Sequence, residues 1–248
     1  MRDHKFTPES YEALFDAFID QETSGTRVDK SVKNEIIANS KAADYVFHEE
    51  KIIIELKTLD RNHGSRGHVL SLVDEAIRKR ELPPTVKQDW VNRRAPLPKS
   101  VTRFVDKKVQ NSMKGAVRKA NLQLEATKNF LGKGYSGVLI VANLQEMLFG
   151  PMEMLKILSF HALDRSSCHI DALLLMTPGV SYVSPSSFPQ HYIAPAYAEG
   201  KTYLGDFIEP LVKKWIEFEA SAFGQKSEVE MKFEIDESSK QARPHDGQ

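Results

Sequence analysis

The stretch KIIIELKTL, Lys51 to Leu59, constrains the fold more than any other part of the chain. Three consecutive isoleucines are β-branched and favour a strand. Side chains alternate along a strand, so Ile52, Ile54, Leu56 and Thr58 point to one face and Ile53, Glu55, Lys57 and Leu59 to the other. The first face is a core face. The second begins apolar and turns ionic. A strand of this kind is expected inside a sheet, where unpaired charges are expensive. Glu55 and Lys57 therefore need a reason to be there.

The preceding segment, 44–48, reads as a partner strand. A turn centred on Glu49-Glu50 pairs His48 with Lys51, Phe47 with Ile52, Val46 with Ile53, Tyr45 with Ile54 and Asp44 with Glu55. Directly opposed residues in a hairpin have Cβ atoms about 5 Å apart. Two carboxylates at that distance repel unless something positive lies between them. Lys57, on the same face, is one candidate. A divalent cation, which takes hard oxygen ligands, is another.

The remaining pattern gives a mixed α/β order. Residues 8–20 read as an amphipathic helix capped by Thr7, with Pro8 in its first turn and Tyr11, Leu14, Phe15 and Phe18 on one stripe. Helices are expected over 30–42, 69–80, 103–131, 151–162 and 206–223. Gly115 weakens the long one, and the GKG at 132–134 ends it. Strands are expected over 137–142, 170–176 and 181–183. Four prolines between 83 and 98 predict a loop or an irregular insertion there.

Asp44, ten intervening residues and Glu55-Leu56-Lys57 together resemble the motif of the PD-(D/E)XK nuclease superfamily, which includes many restriction endonucleases, Holliday-junction resolvases and phage exonucleases. Ala43 stands where some members have proline, and the long, basic, proline-rich stretch from 60 to 100 departs from the usual spacing. The resemblance implies a restriction-endonuclease-like α/β fold, a mixed central sheet flanked by helices, spanning 1–223. It implies Mg²⁺, with Mn²⁺ as a substitute, held by Asp44, Glu55 and the Leu56 carbonyl. Glu35 either joins them from the preceding helix or is a solvent-facing helix acid. Lys57 then orients or helps deprotonate the attacking water. A glutamine on the following helix is expected near the site, and Gln123 fits, with Lys119 one turn before it. The implied activity is phosphodiester hydrolysis in DNA. A catalytically inactive nuclease-fold assembly module and an RNA-directed nuclease are the alternatives.

Charge adds a second signal. The chain has 34 basic and 34 acidic residues, but thirteen Lys or Arg face three Asp or Glu between 78 and 119. Arg93, Arg94, Arg103, Lys107, Lys108 and Lys119 are the candidate phosphate contacts from this block. It also reads as an ordinary solvated helix face. Trp90, in the same block, reads as a packing anchor or a base-stacking residue. Residues 224–248 form an acidic tail, expected to be mobile and suited to a protein partner. A homodimer is expected if both DNA strands are cut. No apolar run reaches the roughly 18 residues of a membrane helix, and the first residues lack an apolar signal core. The single cysteine, Cys168, rules out an internal disulfide, so the expected compartment is the cytoplasm. His63 and His68 lack cysteine partners for zinc, and no nucleophile-elbow motif occurs.

Overall fold

The isoleucine strand is third in a six-stranded sheet ordered as in the sequence, β1 to β6. The strands are β1 (Thr26–Arg27), β2 (Tyr45–Phe47), β3 (Ile52–Leu59), β4 (Ser136–Asn143), β5 (Ala172–Thr177) and β6 (Tyr192–Tyr197). The helices are α1 (Pro8–Glu22), α2 (Arg66–Arg78), α3 (Thr85–Val91), α4 (Lys99–Leu131), α5 (Pro151–Leu163) and α6 (Gly205–Ala222). The computed structural model describes residues 7–28, 42–59, 66–92, 99–132, 134–144, 150–163, 169–178 and 192–222.

β2 and β3 form the hairpin, with Tyr45 opposite Ile54, Val46 opposite Ile53 and Phe47 opposite Ile52. That is the register the turn centre predicts. β3, β4 and β5 run parallel, while β1 and β6 close the edges antiparallel. Parallel neighbours need crossover connections, and crossovers of one hand put their helices on one face. Accordingly α4 and α5, with α2, cover one face, packing Met113, Val117, Leu124 and Leu158 against Ile53, Leu139 and Leu173. On the other face α1 and α6 bring Tyr11, Phe15, Phe18 and Trp215 onto Ile52, Ile54, Leu56 and Ile140. Covered on both sides, β4 and β5 are buried along their whole length.

Several helix boundaries follow from their caps. Thr7 accepts from the Ser10 amide at 3.2 Å while Ser10 Oγ accepts from the Thr7 amide at 2.9 Å, a reciprocal cap that starts α1. Gly132, at φ +97°, stops α4 in the left-handed region. The expected loop over 83–98 is corrected: α3 occupies part of it. Pro83 and Pro84 stand just before that helix, where a missing N–H costs nothing, and none falls inside it. β1 and β6 carry no clear periodicity. β6 contains Pro195, tolerated because the strand lies at the sheet edge. The helix expected over most of 30–42 and the strand over 181–183 lie outside the described residues.

A second polar cluster fixes the start of β5. Lys128 donates to Asp171 Oδ2 at 2.7 Å, the Gly137 amide donates to the same oxygen at 2.8 Å, and Lys201 reaches Oδ1 at 3.2 Å. Burial pushes the Asp171 carboxyl up, but these donors outweigh it and hold it below its usual value. A Cβ on Gly137 would lie 2.2 Å from the His169 carbonyl oxygen, so only glycine fits there.

Candidate active site

The ionic half of β3 lies beneath α4, on the face away from α1 and α6. Alternation puts Glu55 and Lys57 on that face with Ile53. Glu55 is fully buried, with 0% of its surface exposed. Lys57 follows two residues later, and 23% of its side chain reaches solvent. The two form an ion pair.

Asp44 precedes β2. Its main-chain N–H donates to the Ile54 carbonyl at 3.2 Å, so the hairpin pairing continues one residue beyond the strand. Its carboxylate accepts the Leu56 amide at 2.9 Å through Oδ2. Asp44 and Glu55 thus share the end of the hairpin. Burial pushes the Glu55 carboxyl up, and the Asp44 carboxylate pushes it further. Lys57 and the Asp44 amide pull it back only in part, leaving it at about 8. Glu55 Oε2 is buried and has no hydrogen-bond partner among the described residues.

α4 supplies the third side. Gln123 Oε1 accepts from Lys57 Nζ at 2.9 Å, and Gln123 Nε2 donates to the Ala42 carbonyl at 3.0 Å. One turn on, Thr127 Oγ1 accepts the Ala43 amide at 2.8 Å. The structure therefore brings Asp44, Glu55, Lys57 and Gln123 together. Leu56 turns its side chain into the opposite core. Thr127 was not anticipated; its sequence signal is weak, a polar residue on the buried face of α4 at a four-residue spacing from Gln123.

A divalent cation is a fair test of this geometry. Two carboxylates with an orphaned buried oxygen between flanking main-chain groups are a hard-oxygen donor set. Among the described residues no group of three or more His, Cys, Asp or Glu gathers. Mg²⁺ keeps several waters and takes one or two carboxylates plus substrate phosphate, so Asp44 and Glu55 would be enough to hold it. Glu35, Arg93 and Arg94 lie outside the described residues, as does the side chain of Lys108. Arg103, Lys107 and Lys119 are exposed on α4. Trp90 packs partly buried against the α4-side core, in keeping with a packing anchor. A cleft of about 570 Å³ opens beside Phe47, Lys51, Ser136, Tyr203 and Phe207, and no candidate site residue lines it.

No protein-family model matches the chain, nor does any curated protein or solved structure.

Proposed function

We propose that this chain is a metal-dependent nuclease of the PD-(D/E)XK type, with a restriction-endonuclease-like fold, that hydrolyses phosphodiester bonds of DNA. The observation that carries the reading is the buried Glu55 beside Asp44, with an unsatisfied oxygen and with Lys57 tied to Gln123. A buried carboxylate held out of balance is costly to a fold and is characteristic of functional sites.

In this reading Asp44 and Glu55, with the Leu56 carbonyl, hold Mg²⁺. When bound, that ion lowers the pKa of a coordinated water and offsets charge on the phosphate. Asp44 is oriented by the Leu56 amide, which donates to its Oδ2. Lys57 has three N–H donors, and Glu55 and Gln123 take two. The third is left for an attacking water or a phosphate oxygen. Lys57 thereby orients the nucleophile and counters charge growing at phosphorus. Exposed Arg103, Lys107 and Lys119 on α4 are the described cations available to the nucleic-acid backbone.

A nuclease-fold assembly module is the second reading, favoured by the balance of 34 basic against 34 acidic residues, which suits a protein partner as well as DNA. The test is cleavage of supercoiled plasmid and of single-stranded DNA in Mg²⁺, Mn²⁺ and EDTA, with Asp44→Asn and Lys57→Met alongside and RNA as competitor. Metal-dependent cleavage lost in both variants, with their folds intact, is the expected result. Cleavage unchanged in both variants overturns the site. No cleavage in either metal moves the assignment to the assembly module.

A further inference from the structure

Thr127 is fully buried near the C-terminal end of α4. Threonine is a modest helix former, and its hydroxyl inside a helix can bond the carbonyl four residues back. Here it donates to the Gln123 carbonyl at 2.9 Å. Its lone pairs stay free to accept, and the Ala43 amide donates to them at 2.8 Å. Valine has the same shape and can do neither. Ala43 is itself buried, so losing the hydroxyl strands a buried amide.

Gln123 closes a clamp from the same face of the helix. An ammonium only donates and a carbonyl only accepts, so Oε1 must face Lys57 and Nε2 must face Ala42. A flipped amide satisfies neither. One turn of α4 thus grips the chain at Ala42 and Ala43 and holds the Lys57 ammonium as well. Asp44 is the next residue. Its carboxylate accepts the Leu56 amide, and its main chain is anchored through the residue Thr127 holds.

We infer that Thr127 is a positioning residue for the proposed reaction: from α4 it fixes the main chain at Ala42–Ala43 so that the Asp44 carboxylate stays against the Leu56 amide and beside Glu55. The inference rests on the reading of Asp44, Glu55 and Lys57 given above. Groups that orient metal-binding side chains typically matter by ~10–100-fold in affinity or activity when removed.

The experiment compares full-length wild type with Thr127→Val, Thr127→Ser and Leu158→Ala, the last a buried truncation on α5 that touches none of the proposed site's hydrogen bonds. Three quantities are read: steady-state cleavage of plasmid DNA, Mn²⁺ affinity by calorimetry, and hydrogen exchange of the Leu56 amide by NMR. Thr127→Val is expected to lower kcat by ~10–100-fold and to weaken Mn²⁺ binding. Its KM for DNA should move by less than about threefold, because the backbone contacts lie elsewhere. Its Leu56 amide should exchange at least ~10-fold faster while Leu174 in β5 keeps its protection. Thr127→Ser keeps the hydroxyl and should restore all three. An unchanged Leu56 exchange rate in Thr127→Val overturns the inference. So does an equal loss of kcat and Mn²⁺ affinity in Leu158→Ala at matched stability. Wild type that neither cleaves nor binds Mn²⁺ overturns the nuclease reading instead, and the Leu56 exchange rate then decides alone whether Thr127 holds Asp44.

Discussion

Two buried glutamates sit on opposite faces of the sheet, and they differ in what surrounds them. Glu55 has a cation and a second carboxylate beside it. Glu219, on α6, lies 3% exposed, and burial alone raises its carboxyl to about 7. In the unfolded chain a glutamate titrates near 4.3. Below that pH both states hold the proton and Glu219 costs nothing. As the pH rises toward 7 the unfolded state ionises while the folded state keeps its proton, so stability falls. Above 7 the whole cost, about 4 kcal/mol, is present. Glu219→Gln should therefore match wild type in urea denaturation near pH 4.5 and exceed it clearly at pH 8. Equal stabilities at pH 8 would refute the assignment of that burden to Glu219. At the site, Lys57→Met keeps most of the stem's packing and removes the charge. It should lower cleavage by at least ~100-fold in a plasmid assay while circular dichroism shows the fold retained.

At the level of elements, two glycines make opposite predictions. Gly115 lies inside α4, and a Cβ there would meet nothing within 4 Å. Gly115→Ala should stabilise the protein by about 0.5–1 kcal/mol, from helix propensity alone. Gly137 opens β4 against the His169 carbonyl, so Gly137→Ala should destabilise it by roughly 3 kcal/mol, with the Asp171 cluster disturbed as well. Chemical denaturation of the pair reads both. The hairpin was legible because a two-residue period fixes faces and a turn centre fixes register. That is why Asp44 and Glu55 could be set opposite one another from the sequence. Gln123 was legible only through the resemblance; its spacing from Lys57 carries no period. Thr127, Ala42 and Ala43 were not legible, because their hydrogen bonds join segments more than eighty residues apart. α3 was hidden by prolines that mark helix starts as readily as loops. The role of Asp171 was not legible, since its three donors come from α4, β4 and the turn before α6.

On the scale of the molecule, the sheet separates two jobs. α1 and α6 carry an aromatic core in which the Phe15 and Trp215 rings lie 5.0 Å apart between centroids, tilted by 46°. α4 carries packing, the clamp on the hairpin, and exposed cations on its outer side. If those cations meet nucleic-acid phosphates, Arg103→Ala and Lys119→Ala should each reduce the slope of log affinity against log salt by about one. Turnover at saturating DNA should change much less than binding. Fluorescence anisotropy over a salt series measures the slope, and a slope untouched by both changes removes α4 from the interface.

The two outermost strands carry one more implication, for how copies of this chain meet. A sheet grows into a neighbour's when a long, unobstructed strand offers a full row of amides and carbonyls. Here one rim is two residues long and the other has a proline in the fourth of its six places. Neither rim is a template for continuation into a second subunit or a fibre. Among the described residues, pairing of copies is therefore expected away from the sheet edges, and amide exchange in β6 should be independent of protein concentration.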